Sequence, residues 1–129
     1  EHGISLAGSS DAPFGSADPW AAMKAAVERR TVSGQLIGSK EQLSPEQALG
    51  LFIGSLENPG QAQQIRPGME ANLCLLKYPW VRCRHRLRSA DVKVVICEGA
   101  NIFATEAVAE HVKNKNEHQT PCPDLAASA

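Results

Sequence analysis

The spacing of hydrophobic residues changes near residue 65, from a helical period before it to short apolar runs after it. In the first half, apolar residues recur three or four positions apart from Trp20 to Val27, which places them on one face of a helix. Asp18 is a good N-cap, and Pro19 suits the first helical position. This pattern predicts a helix that begins at Pro19 and ends near Arg30, followed by a surface loop over 31–43.

A second helix is predicted from residue 45 onward. Ser44 stands before a proline, and Gln47 follows three positions later, which is the capping-box arrangement. Apolar residues then continue to Leu56 and would form a broad buried face. We expect the helix to end at the glycine and proline residues between 54 and 60.

The second half of the chain predicts a small sheet. A Pro-Gly turn at 65–69 precedes an apolar run at 71–76, and a second strong strand is expected at 92–97. A turn at 98–101 would lead into a return strand that begins at 102. These strands form an incomplete sheet that needs a partner layer.

The last part of the chain is predicted to contain little structure. Thr105 would cap a short helix that runs from Glu106 to about Val112. The polar segment 114–129, which contains two prolines, is expected to be disordered.

Asp11 is the strongest candidate for a functional residue. A short apolar run at 4–7 predicts a buried strand; small residues and Asp11 follow it, and then a turn with Pro13 and Gly15. In an α/β barrel, a buried strand delivers its last residues to the C-terminal mouth, where the chemistry takes place. The alternative is a plain turn aspartate, since Asp before Ala-Pro readily forms turns.

Length and charge restrict the class of protein. The chain has 129 residues, which suits one domain, and a net charge of -1 argues against binding to nucleic acid or a membrane surface. The chain contains no apolar run of about 18 residues, so no membrane span is predicted. The first residues do not have the pattern of a signal peptide. The start without Met, almost directly in an apolar run, suggests a chain cut from a longer protein.

The four cysteines do not predict a disulfide framework, because no two of them form a Cys-x-x-Cys pair. Cys74 and Cys97 lie in apolar runs and are expected to be buried, as in a reducing, cytoplasmic compartment. The pair Cys83 and His85 could begin a metal site, but no spacing matches a structural zinc pattern, so we expect exposed histidines.

Four arginines at alternate positions form the other conspicuous pattern. They could bind phosphates if they lined one face of a strand, or they could be a solvated connector in an exposed strand or a helical turn. Trp20 and Trp80 could line a pocket, although core or sheet-edge packing is the simpler interpretation. The arginines are Arg82, Arg84, Arg86 and Arg88.

Three segments, in their order and spacing, resemble the C-terminal part of the amidohydrolase superfamily, closest to its amidohydrolase-3 type. The first is Gly-Ser-Ser-Asp-Ala-Pro at 8–13, similar to the last barrel strand with its metal-site Asp. The second is Leu-Ser-Pro-Glu-Gln-Ala-Leu at 43–49, like the helix that leads out of the barrel. The third is the turn and strand at 65–76 with the strands at 92–103, like those that return to a small β-sandwich.

The resemblance implies a metal-dependent hydrolase that acts on C–N bonds other than peptide bonds, in small amide, formamide or N-acyl substrates. It implies a divalent metal, usually zinc, and a (β/α)8 barrel. Asp11 would be both the metal-site and the catalytic residue, accepting a proton from the metal-bound water and passing it to the leaving nitrogen.

The chain departs from the family pattern in two ways. The family's His-x-His pair, its bridging Lys and its two later His ligands belong upstream of the matched region, and Asp11 alone cannot supply the three or four ligands of a zinc site. The usual Ala-Asp-Leu after the Pro-Gly turn is Ala-Asn-Leu at 71–73, which puts a structural hydrogen bond in question.

The expected fold class is therefore α/β: the last strand and helices of a (β/α)8 barrel, followed by part of a small β-sandwich. We expect the barrel end at 1–64, the sandwich strands at 65–104, and a short helix and tail at 105–129. The expected function is that of a C-terminal part of a metal-dependent amidohydrolase, inactive and metal-free by itself. The alternative is a non-enzymatic module of the same origin. The expected partner is the remainder of the barrel or a second copy of the chain.

Overall fold

The computed structural model describes residues 4–55 and 57–109, which form two compact units. The first unit contains the described residues up to Glu70 together with Leu76–Val92. The second contains Ala71–Leu75 and the described residues from Lys93 onward. The helices are α1 (Pro19–Glu28), α2 (Pro45–Gly50) and α3 (Trp80–Cys83), with short 3-10 turns η1 (Ser39–Glu41) and η2 (Ser89–Asp91); the strands are β1 (Leu73–Leu76), β2 (Val92–Cys97) and β3 (Ala100–Ala104).

Helix α1 begins where the sequence predicts and ends earlier. The Asp18 side chain accepts a hydrogen bond from the backbone N–H of Trp20, which confirms the N-cap. The helix ends at Glu28 rather than near Arg30, because Arg29 takes a left-handed backbone conformation with φ of 50°. The carbonyl groups of the last turn have no partners within the helix, and the Gln42 side chain donates hydrogen bonds to two of them.

The capping box of α2 is confirmed, but the predicted length of the helix is wrong. The Ser44 hydroxyl accepts from the N–H of Gln47, and the Gln47 side chain accepts from the N–H of Ser44. The helix ends at Gly50, well before Leu56. The carbonyl of Leu51 accepts a 2.7 Å hydrogen bond from the N–H of Gly8, so a distant segment caps the helix at this point.

Residues 4–7 do not form the predicted strand. Ile4 and Leu6 are 74% and 64% exposed, and no strand neighbours this segment among the described residues. A strand is stabilised by hydrogen bonds to a partner strand, which an apolar run cannot supply by itself. The segment is instead held at Gly8, where a Cβ atom would lie 2.8 Å from the Phe52 ring.

The core of the first unit is small and contains one charged residue. Helix α1 packs against α2 and η2, and Ala48 of α2 is fully buried. Asp91 is only 2% exposed. Its carboxylate is 3.0 Å from Nη2 of Arg86 and 3.3 Å from Nε of Arg88. The buried apolar side chains are Trp20, Met23, Ala48, Cys83, Leu87 and Val92, which places Trp20 in the core as one interpretation of the sequence had it.

The three strands form one sheet in the order β1-β2-β3. Strands β2 and β3 are antiparallel, with Val95 opposite Phe103 and an irregularity between Val95 and Ile96. Their connection is shorter than predicted: only Glu98 and Gly99 form the turn, with φ of 51° and 80°. Two successive residues of positive φ are what a tight two-residue hairpin requires, so β3 begins at residue 100 rather than 102.

Three further predictions about the second half concern the Pro-Gly turn, the hydrogen bond of Asn72 and the helix after Thr105. The Pro-Gly turn is confirmed, because the N–H of Met69 donates to the carbonyl of Arg66 and Gly68 has φ of 84°. The Asn72 side chain makes a hydrogen bond at the position in question, since its Oδ1 accepts from the N–H of Glu98 at 2.8 Å. Residues 106–109 form a helical turn; the rest of the predicted helix and the tail lie outside the described residues.

The prediction that Cys74 and Cys97 are buried is wrong. Both are exposed, Cys74 on a strand that ends the sheet and Cys97 at the last position of β2. Cys83 is the buried one, and its thiol donates to the carbonyl of Tyr78. These three are free thiols.

We predict that Asp91→Asn lowers the free energy of unfolding by about 1.5–3 kcal/mol, because it removes the charge from buried hydrogen bonds to two guanidinium groups. Urea denaturation measures the change. The matched control is Glu28→Gln, which affects an exposed pair with Lys24 at 3.8 Å and should cost less than about 0.5 kcal/mol. Equal losses in the two variants would contradict the central role of Asp91.

Glu46 predicts a pH-dependent part of the stability. A hydrogen bond from its own backbone, with side-chain bonds from Arg84 and Trp80, holds the pKa of Glu46 below its ordinary value of 4.5. A lowered pKa in the folded state stabilises the fold above the ordinary value, and this contribution is lost as the pH falls through the folded-state pKa. The stability advantage of the native chain over Glu46→Gln should thus be present at pH 6 and shrink below pH ~4.5. Urea midpoints measured across this range test it, and an advantage that grows in acid would contradict it.

Candidate functional site

Asp11 lies in a tight turn that exposes its side chain. Its N–H donates to the Ser9 hydroxyl at 3.1 Å, and its carbonyl accepts from the N–H of Gly15 at 3.0 Å. Its φ of 52° is left-handed, a conformation that Asp tolerates better than most residues. The backbone of this turn is thus defined by local hydrogen bonds, with the carboxylate facing solvent.

Gly15 makes the turn possible. A Cβ atom at this position would lie 2.5 Å from the backbone oxygen of Ser10, closer than real Cβ contacts allow. Phe14 beside it is 91% exposed. The turn therefore combines a fixed backbone, one carboxylate and an uncovered aromatic side chain.

The donor set around Asp11 does not fit a metal ion. Among the described residues, no three His, Cys, Asp or Glu side chains come together in a group that could hold one. Zinc in proteins takes three or four protein ligands, so a single exposed carboxylate would bind it weakly. Cys83 and His85 do not form a metal site either, because the Cys83 thiol is buried against a carbonyl while His85 is exposed.

A cavity of about 190 Å³ lies elsewhere in the first unit. It is open to solvent and has both polar and apolar lining residues, and Asp11 is not one of them. Three of the seven lining residues are glutamines, and their amide groups do not ionise near neutral pH. The lining residues are Ser55, Gln61, Ala62, Gln63, Gln64, Arg66 and Met69.

The four arginines do not lie on one strand face, as one interpretation of their spacing required. Arg82 belongs to α3, Arg84 and Arg86 lie in the turn after it, and Arg88 has extended backbone directly before η2. Arg84 pairs with Glu46 at 3.0 Å, and both Arg86 and Arg88 contact Asp91. One feature of the sequence indicates the buried ion pairs: Asp91 stands three positions after Arg88, directly before the apolar run at 92–97.

The structure and the family comparison together define the class of this protein. The described residues form a small α/β chain with a three-stranded sheet and a turn-borne Asp, and none of their helices could cross a membrane. The model of the amidohydrolase family matches residues 1–103, and the chain belongs to that family. No curated protein and no solved structure matches it.

We predict that Gly15→Ala destabilises the Asp11 turn by about 1–3 kcal/mol, because the added methyl group overpacks against a backbone oxygen. Gly50→Ala is the matched control, since a Cβ there meets nothing within 4 Å and lies at the end of a helix. It should be neutral or stabilising by up to about 1 kcal/mol. Urea denaturation of both variants tests this, and equal effects would mean that the turn is looser than described.

Proposed function

We propose that this chain is the C-terminal portion of a metal-dependent amidohydrolase and that it is inactive by itself. The activity of the whole enzyme would be hydrolysis of C–N bonds other than peptide bonds in small amide, formamide or N-acyl substrates. The family match over residues 1–103 supports the hydrolase class. The observation that carries the rest is Asp11, presented by a defined turn and belonging to no group of three or more His, Cys, Asp or Glu side chains among the described residues.

Asp11 would contribute one metal-site and catalytic carboxylate to a site whose other ligands come from the remainder of a barrel. The zinc or other divalent ion would supply Lewis-acid activation of the substrate once that set is complete. The exposure of Ile4, Leu6 and Phe14 supports this view, because large apolar side chains beside a candidate site are normally covered. In this proposal 1–64 is the barrel end, 65–104 belongs to a β-sandwich, 105–129 is an appended tail, and the protein is cytoplasmic.

The second candidate is a non-enzymatic module that associates with itself. It is favoured by the apolar residues on the outer strands of the sheet, where Leu75, Ile102 and Phe103 are about half or more exposed. Such strands offer unpaired backbone groups and apolar surface to a second copy. In this case Asp11 would be an ordinary turn residue.

Metal content and mass in solution test the first candidate against the second. We expect the purified chain, dialysed after incubation with excess Zn²⁺, to retain far less than one zinc ion and to release no product from N-formyl or N-acetyl amino acids. Elemental analysis, an amine-release assay and light scattering measure these three properties. Stoichiometric zinc that is lost in Asp11→Asn but kept in Glu57→Gln would contradict an incomplete site. A metal-free, defined dimer would favour the self-associating module.

The positive test supplies the missing part. A second polypeptide that carries the barrel strands with the His-x-His pair of an amidohydrolase, mixed with this chain, should restore zinc binding and amide hydrolysis. Asp11→Asn should remove the restored activity, by about a thousandfold or more if it acts in proton transfer and metal binding together. Glu57→Gln, an exposed carboxylate outside the turn, should leave it unchanged.

A further inference from the structure

Two guanidinium groups lie on one aromatic ring in the first unit. The Cζ atom of Arg82 is 4.2 Å from the centre of the Tyr78 ring, and that of Arg86 is 5.1 Å from the same centre. Residues four positions apart lie on one side of a helical turn, which explains how both side chains reach the ring. Both cations are within the distance at which the face of an aromatic ring attracts positive charge.

The arginine side chains near Tyr78 outnumber the carboxylates that pair with them. Arg86 and Arg88 share the single carboxylate of Asp91, and Arg82 has no carboxylate partner among the described residues. Arg82, Arg86 and Arg88 thus have one carboxylate, that of Asp91, among their contacts, which leaves an excess of two positive charges. Like charges held this close repel each other, and a bound anion would remove the repulsion.

The geometry also favours an anion of a particular kind. Arg86 is fixed by its bond to Asp91, and Arg82 rests on Tyr78 while remaining exposed to solvent. A stacked guanidinium is ordered before the ligand arrives and presents a planar set of donors that matches the oxygens of a phosphate. An excess of two charges matches a dianion better than a singly charged carboxylate.

We propose that the surface formed by Tyr78, Arg82 and Arg86 binds the dianion of a phosphate monoester. Arg82 provides the free bidentate donor, Tyr78 orders it, and Arg86 adds the second charge. This surface lies apart in sequence from the Asp11 turn, and the proposal does not depend on the proposed hydrolase activity. Two of the four arginines thus have a phosphate-binding role, in a helical turn rather than on a strand.

The experiment uses the chain's single tyrosine as its reporter. The chain is labelled with ¹³C-tyrosine, and the ring resonances of Tyr78 are followed while inorganic phosphate or phosphoserine is added at constant ionic strength. We expect a saturable shift with either probe. Arg82→Gln should weaken binding about tenfold or more, the size expected for a lost hydrogen bond to a charged group. Arg82→Lys should also weaken it, because the point charge lacks the planar fork.

Arg30→Gln is the matched control, because Arg30 is an exposed arginine whose side chain donates to the carbonyl of Gly34 and has no ion pair among the described residues. It should bind both probes as the native chain does, and circular dichroism should show all three variants folded. A shift that does not saturate, equal weakening by Arg82→Gln and Arg30→Gln, or full affinity in Arg82→Lys would overturn the proposal. Tighter binding of a single-stranded oligonucleotide than of phosphoserine at the same residues would also overturn it, in favour of a nucleic-acid surface.

Discussion

The buried carboxylate of Asp91 is the constraint on which the first unit depends. A carboxylate that is almost fully shielded from water needs paired charges and hydrogen bonds, and Arg86 and Arg88 provide them. These two bonds connect the segment that follows α3 to the residue directly before β2. They also hold Arg86 beside Tyr78, so the surface formed by Tyr78, Arg82 and Arg86 depends on the buried Asp91.

The same unit relies on polar contacts between distant segments, because its apolar core is small. Ser89 donates to Asp18, which ties η2 to the cap of α1 across 71 positions of sequence. Glu46 accepts from both Trp80 and Arg84, which ties α2 to α3. Each of these acids also lies at the start of a helix, where negative charge is favourable. Asp18 and Glu46 therefore stabilise the start of a helix and also connect that helix to a neighbouring element.

These long-range contacts explain which features could be predicted from the sequence. Helix starts were predictable, because Asp18 and Ser44 act on residues two or three positions away. The Pro-Gly turn was predictable for the same reason. The strand at 92–97 was predictable because its partner β3 follows it directly across a two-residue turn. Helix ends were not, since the end of α2 is set by an N–H from Gly8. The strand at 4–7 was predicted wrongly, because an apolar run shows that a segment can be buried but not that a partner strand is present.

The candidate site shows the same division between local and distant determinants. Ser9 and Gly15 fix the backbone around Asp11 through contacts within six residues, so this turn is a local structure. The chemistry of a metal site depends on several donors that converge from different strands, and no local sequence can provide them. The geometry of one carboxylate and the activity of the site are therefore separate properties. The first belongs to this chain, whereas the second requires the set of side chains that would surround it.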